Sequence, residues 1–506
     1  MMIKRFLVIL LCIAVGAVGA FAQIRKVAEI EAEPVEQDAF YHVFDKGGSR
    51  LYFFKKKPHK FRDKKAYWEI REYGEDLSLI NQQGYFLPVD QELVGYDAHD
   101  SAMFFMFTDD TEYVRDLKLY RLPFDSPQQY QEFNIELPFQ LVMSHYESLG
   151  HHVILAGQVN DKSVVCLFDL ASGQLKVVRN HYHSKNRLLD LTVNEEDKTF
   201  KTISVHRERA HKYKASVNVF DEEGQELIRY SFVVPEGQNL MMAKVVELPN
   251  LDQLLVASYG DSGSSMLDFS AGVTVARLSA SGEHQINMIP FARFEHYFNY
   301  LPEKQEVKMK HKQQKKKKAR KEMNLFKKMR LSYRAGTDGS HAFFGEFFYP
   351  TLKNNTNFSG LQEVIMKEQV YVMTHALMAV FDQEGNFMWD RTFNYENFEM
   401  PAITQVGAFA YEQGHSAVMA YHDNNELVSE QIDLTVDSAP SIKERFSSLP
   451  QDYKEDHRNF GHLYPWLNKS FYHFGLYYPL GGEKKAHLYL QKYLWVPQEL
   501  PPLSGP

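Results

Sequence analysis

The sequence predicts an all-β chain, a β-propeller of eight four-stranded blades with seven blades as the alternative, and three observations carry that expectation. The first is a period. Apolar, strand-like runs begin at Leu51, Ala102, Val153, Thr202, Leu254, Ala342, Ser416 and Ser470, giving steps of 51, 51, 49, 52, 88, 74 and 54 residues. Recurrence near 50 residues, with several strands per unit, marks propeller blades. The second is a hairpin behind several of these runs: VVCLFDLASGQL, VNVFDEEGQEL, VTVARLSASGEH and LMAVFDQEGNFMW each join an alternating strand to the next through a polar turn whose glycine supplies positive φ. The third is composition. Aromatic residues make up 14% of 506 residues, with 29 Tyr and 37 Phe, a bias that suits pleated, half-buried strands better than helices.

From the N-terminus, Lys4 and Arg5 precede the apolar run FLVILLCIAVGAVGAF and then Ala20-Phe21-Ala22, a small-x-small cleavage site. Residues 1–22 are therefore expected to be a signal peptide cleaved after Ala22, with an uncleaved anchor as the alternative; the bulky Leu11 before Cys12 argues against lipid attachment there. No later stretch reaches 18 uninterrupted apolar residues, so residues 23–506 are expected to form one exported propeller domain, periplasmic or associated with the outer membrane. The last unit, from Tyr464, shows three strands, and the unassigned segment around Val27 to Glu33 is expected to supply the fourth and close the ring. The two long steps predict insertions, a basic one over 303–334 and a loop over 350–374. From Lys304 to Arg334 there are 14 Lys and Arg against 2 Glu, a local charge of +12, which leaves −20 for the rest of a chain whose net charge is −8.

The segment TDGSHAFFGEFFYP, followed by THALMAVFDQEGNFMWDRTFNYENF, together with the aromatic closing segment LYPWLNKSFYHFGLYY, resembles a family of exported Bacteroidetes proteins with propeller-like β repeats. The resemblance lies mainly over residues 330–495. It implies a bacterial, exported setting and transfers no activity, since the family has no assigned chemistry or catalytic residues.

Candidate chemistry is sparse. Gly260-Asp261-Ser262-Gly263 resembles the nucleophile segment of chymotrypsin-like proteases, but upstream histidines such as His145 and His206 lack the sequence setting of the catalytic base, and Ser264 replaces the second glycine. His181 and His183 share one side of an expected strand, a metal-compatible spacing that a surface pair also satisfies. Cys166, in SVVCLFDL, reads as a small core hydrophobe. The aromatic set Tyr464, Trp466, Phe471, Tyr472, Phe474, Tyr477 and Tyr478 could stack on sugars or fill a blade core. Asp261, after a second blade strand, and Glu346, where an apolar residue is expected, are the candidate ligand-binding carboxylates. Lys315, Lys316, Lys317 and Lys318 are the candidate contact for an anionic lipid or lipopolysaccharide, with nucleic acid disfavoured by export. A thin stripe of Ala319, Met323 and Phe326 at helical spacing is expected to pack on a blade.

No cofactor motif is present in the sequence, and the expected function is an envelope module that binds a protein or glycan. The alternative is a glycoside hydrolase or lyase with carboxylates converging at the central channel. Mass spectrometry of the protein from its native cell is expected to find Gln23 at the N-terminus and no lipid; intact Met1 in a membrane fraction contradicts cleavage.

Overall fold

A computed structural model describes residues 23–496 apart from short stretches, the longest being 59–63, 179–185, 263–268, 401–405, 435–440, 448–452, 456–461 and 480–484. The expected signal segment, residues 1–22, and the His181/His183 pair lie outside the described residues. The chain divides into two compact units, one of Glu36–Ala335 and Gly339–Gln405, the other of Met1–Val35, Gly336–Asp338 and Val406–Pro506.

The fold is mostly β, in several sheets, and its unit is the four-stranded antiparallel meander. Residues 40–88, 238–290, 328–400 and 408–447 each form a separate sheet with strands in sequence order. Residues 92–233 form an eleven-stranded sheet made of three such meanders. One junction within it is the strand Gln131–Leu149, which pairs with Val114–Pro123 through its first part and with His152–Val159 through its second. Pro138 sits in an irregularity of the first of these pairings, between Glu136, opposite Asp116, and Leu141, opposite Val114, so its missing N–H costs no ladder bond. The other junction is one parallel pair, Lys162 with Asn186.

The eight apolar runs that set the period are the second strands of the meanders, among them Ala102–Thr108, His152–Val159, Gln253–Asp261 and Ser416–Asp423. Ala102–Thr108 is buried at every position, because both of its faces meet apolar neighbours. The hairpins behind them form as the sequence implies. Gly173, Gly224, Gly282 and Gly385 have φ of 69°, 72°, 92° and 82°, a region closed to most L-residues. The leading aspartates complete the turns: Asp221 accepts from the Gln225 amide at 2.7 Å, and Asp382 from the Asn386 amide at 2.7 Å.

In the first unit, successive meanders share their cores. Phe54, Trp68 and Ile70 pack with Phe105, Tyr120 and Leu122 of the next meander; Phe104, Met106 and Leu119 pack with Leu155, Val164 and Cys166. Val217, Tyr230 and Phe232 meet Leu255 and Ala257, and Leu254, Val256 and Val275 meet Phe343, Phe347 and Phe381. Burying one large side chain contributes about 1.5–3 kcal/mol, so each meander depends on its neighbour.

The insertions differ from the sequence reading in form. The basic segment, preceded by two short 3₁₀ turns, Phe291–Arg293 and Tyr297–Tyr300, holds the helix Glu303–Lys318, and the strand Lys328–Ala335 already belongs to the following meander. The helix has no buried residue. Glu303 and Glu306 in its first turn and four lysines in its last complement the helix dipole, and Lys310 pairs with Glu306 at 2.7 Å. Its flanks are anchored instead: Phe291, Phe294, Tyr297, Phe298 and Met323 are core residues. Ala319 caps the helix and is exposed, and Met323 and Phe326 follow it, so the expected helical stripe does not exist. Residues 350–374, read as a loop, instead continue the strands His341–Ser359 and Gln362–Phe381 as a two-stranded ribbon, because their β-rich sequence keeps pairing rung by rung to Ser359 and Gln362.

In the second unit, Ser470–Pro479 pairs with Ala486–Val496, and the latter pairs antiparallel with Gln23–Val35 from the N-terminus. Ten residue pairs hold this strand, and Ile24 and Val35 are buried in it. The first-strand position is filled by two short pieces, His462–Trp466 and Tyr453–Glu455. His422 and His473 lie in this unit with ring centroids 4.4 Å apart. Burial, reinforced by His462, pushes the His422 pKa down to about 3, and burial together with His422 holds His473 well below the usual value.

Two outcomes follow from these contacts. Deleting residues 23–35 is expected to cost on the order of 3–5 kcal/mol, read as a lowered melting temperature, while trimming residues 501–506 leaves it unchanged. Because the folded-state pKa values of His422 and His473 are depressed, the unfolded chain takes up protons first. Stability is then full above about pH 6.5 and falls below it by roughly 1.4 kcal/mol per pH unit for each histidine. Urea midpoints at pH 7 and pH 5 measure this, and His422→Gln is expected to flatten the dependence.

Candidate functional site

Charged residues that end the first strands of successive meanders converge on one cavity of about 860 Å³ in the first unit. Lys46 follows the strand Phe40–Asp45, Asp97 lies on Glu92–His99, Glu147 on Gln131–Leu149, Glu195 just beyond Asn186–Asn194, and Glu247 ends Gln238–Glu247. Aromatic rings of Phe44, Tyr96, Tyr146 and Tyr333 complete the wall.

Most of these charges are already matched. The Lys46 ammonium donates to Asp97 Oδ2 at 2.8 Å and to Ser148 Oγ at 2.9 Å, and lies 3.1 Å from Glu195. Burial opposes its charge, yet Asp97, Glu195 and Glu147 hold its pKa above the ordinary lysine value. Asp97 also accepts from the Ser148 amide at 2.7 Å and the Ser148 hydroxyl at 2.6 Å, and its other oxygen from the Ala98 amide at 2.8 Å. Such a saturated carboxylate ties three meanders together and has little left for a ligand. Lys201 pairs with Glu247. Beside the cavity, Lys244 donates to Asp190 at 2.9 Å.

Glu147 differs. No described residue hydrogen-bonds or pairs with its carboxylate, although the group is half-buried in the cavity wall. Burial first, and the Asp97 charge second, outweigh the attraction of Lys46 and push its pKa up to about 7. A carboxyl poised between its two forms at neutral pH can donate to, accept from, or exchange a proton with whatever enters.

The candidates read from the sequence lie elsewhere. Asp261 is exposed at the end of its strand, and Glu346 is 1% exposed within a sheet, accepting from the Tyr395 hydroxyl at 2.5 Å. Neither lines the cavity. The polar interruption at Glu346 thus belongs to the sheet core. Cys166 is fully buried, and burial pushes its thiol pKa up to about 12. His211 Nδ1 lies 3.2 Å from Ser262 Oγ at the surface, but no described carboxylate orients the ring, so the protease arrangement is incomplete. Trp466, Phe471, Tyr472, Phe474 and Tyr477 are buried as core, and Lys315, Lys317 and Lys318 are exposed on the last helical turn beside half-buried Lys316. Among the described residues, no cluster of three or more His, Cys, Asp or Glu is placed to hold a metal ion.

The cavity had a sequence signal of its own. Lys46, Asp97, Glu147, Glu195 and Glu247 recur at steps of 51, 50, 48 and 52 residues, in phase with the repeat.

No family model matches the chain, and no curated protein does. Among solved structures, the chain is similar to the polysaccharide lyase Uly1 at 10% identity and a TM-score of 0.38, over 79% of this chain and 89% of that one. It is also similar to a prolyl endopeptidase, at 10% identity and 0.40, over 87% of this chain but only 53% of the other. A third is the dihydro-heme d1 dehydrogenase NirN, at 11% identity and 0.39, over 94% and 77%. Likeness at this level assigns no activity.

The raised Glu147 pKa has a testable cost. In the folded state ionisation is disfavoured, so the native protein loses stability as pH rises from about 4.5 to 7. Glu147→Gln is expected to be more stable than the parent above pH 7 by about 1–3 kcal/mol, and equal to it near pH 4. Parallel urea titrations at the two pH values check both halves.

Proposed function

We propose that the chain is an exported β-propeller of eight four-stranded blades that binds a small hydroxyl-rich ligand, a glycan unit, at the bacterial cell envelope. Counting the eleven-stranded sheet as three meanders, and the last sheet with its N-terminal strand as one, gives the eight. Export rests on the N-terminal segment, and the envelope setting on the Bacteroidetes-like motifs of the C-terminal part.

The observation that carries the binding reading is the cavity around Glu147. Its volume of about 860 Å³ accommodates a small oligosaccharide unit. Tyr96, Tyr146 and Phe44 are the aromatic lining for the apolar side of a sugar, while the Glu147 carboxyl can meet its hydroxyls. The paired charges around them hold the wall rigid.

The second reading, a glycoside hydrolase or lyase, is favoured by one feature: Glu147 keeps a proton near neutral pH, as a general acid does. Incubation with envelope polysaccharides separates the two, since a binding module leaves chain lengths unchanged and an enzyme shortens them. A glycan array followed by calorimetry tests the site itself. At least one oligosaccharide is expected to bind, and Glu147→Ala or Tyr146→Ala is expected to weaken it by about tenfold or more. Binding that neither substitution alters, or no glycan binding by the folded protein, overturns the reading.

A further inference from the structure

A second cavity, of about 610 Å³, lies where the basic helix meets the chain that precedes it. Pro290, Ala292 and Arg293 form one side, Gln313, Lys316 and Lys317 of the helix another, and Lys321 and Met323 beyond the helix close it. Four cations therefore converge from three separate segments, and no described lining residue is acidic. Gln313 Nε2 donates to the Ala292 carbonyl, which fixes the helix against the Phe291–Arg293 turn, and Met323 is buried in the core below. The Lys321 amide donates to the Lys316 carbonyl at 3.0 Å, holding the third segment in place.

Lysines in a last helical turn answer the negative end of the helix dipole, and that alone accounts for a run such as Lys315 to Lys318. It does not account for Arg293 and Lys321, which lie off the helix and face the same space. For the three lysines, no described residue pairs with the ammonium groups of Lys316, Lys317 or Lys321. Holding several like charges around one space is unfavourable unless an anion enters to offset it.

We propose that this groove is a binding site for a multiply charged oxyanion, a phosphate or sulfate ester, with Arg293, Lys316, Lys317 and Lys321 as its ligands. Arginine offers a fork matched to two oxyanion oxygens, and the lysines act as point charges around it. Pro290, Ala292 and Met323 give the groove an apolar side that suits the hydrocarbon part of such an ester. The same chemistry occurs in a soluble ester and in a lipid headgroup, and the site is independent of the Glu147 cavity.

The test compares two triple variants that each remove three positive charges. Lys316→Gln, Lys317→Gln and Lys321→Gln empty the groove; Lys304→Gln, Lys308→Gln and Lys312→Gln lie outside it. Inorganic pyrophosphate is titrated by calorimetry at low salt, and vesicles of phosphatidylglycerol in phosphatidylcholine are followed by co-sedimentation. The groove triple is expected to lose about tenfold or more in affinity while the outer triple keeps most of it, with melting temperatures unchanged in both. Pyrophosphate binding with that pattern supports a soluble ester, and vesicle binding alone with the same pattern supports a lipid headgroup. Equal loss in the two triples shows diffuse attraction by the helix and overturns the site, as does the absence of binding to either probe.

Discussion

The second strand of each meander is buried on both faces, and this burial decides how the other strands are placed. A strand such as Ala102–Thr108, with no exposed position, needs apolar cover above and below its sheet. One meander supplies only half of that cover. Within the first unit the next meander in sequence supplies the rest, which is why the cores at Phe54 and Phe105, at Phe104 and Leu155, and at Val217 and Leu255 are each shared between neighbours. Stability in this arrangement is a chain of pairwise dependences, and a meander removed from it exposes two apolar faces. The strand Gln23–Val35 gains its importance in the same way, since it covers the outer edge of Ala486–Val496, whose Trp495 is almost fully buried.

Once the apolar residues of the second and third strands are committed to these shared cores, polar residues collect where the first strands end. Lys46 meets Asp97 and Glu195 there, Lys201 meets Glu247, and the first unit tolerates these charges because the opposite signs pair at close range. Glu147 is the exception, held beside Asp97 with no hydrogen-bond or ion-pair partner among the described residues. A half-buried carboxyl whose ionisation is disfavoured in the fold marks a candidate site for binding or proton transfer.

How much of this was legible follows from the same physics. The apolar period was readable because second strands must be continuously apolar, and the four hairpins were readable because Gly173, Gly224, Gly282 and Gly385 occupy a φ region that sequence chemistry announces. The cavity was present in the sequence as a charge recurring at steps of 51, 50, 48 and 52 residues, but a lone charge at the end of a strand looks like any solvated turn. Only the sheets bring those five positions together. Glu346 failed in the opposite direction: a charge inside an apolar run attracts attention, yet Tyr395 across the sheet was invisible from its local sequence. The basic tract was legible as charge and not as shape, since the anchoring residues Phe291, Tyr297 and Met323 flank the lysines instead of alternating with them.

That division of labour in the insertion has a structural consequence. A helix with no buried residue is marginal by itself, and fourteen cations between Lys304 and Arg334 repel one another. Its order must therefore come largely from its flanks, where Phe291, Phe294, Tyr297 and Phe298 enter the core on one side and Met323 and Met329 on the other, with half-buried Met309 packed against the same core and Gln313 bonded to the Ala292 carbonyl. These anchors hold the cationic helix at a fixed place on the first unit while leaving most of its lysines in solvent. An arm needed only for solubility would need no such anchors. Fixing the charge in position is useful when the partner has to meet it in a defined geometry, and the cation-lined groove between helix and sheet supplies that geometry.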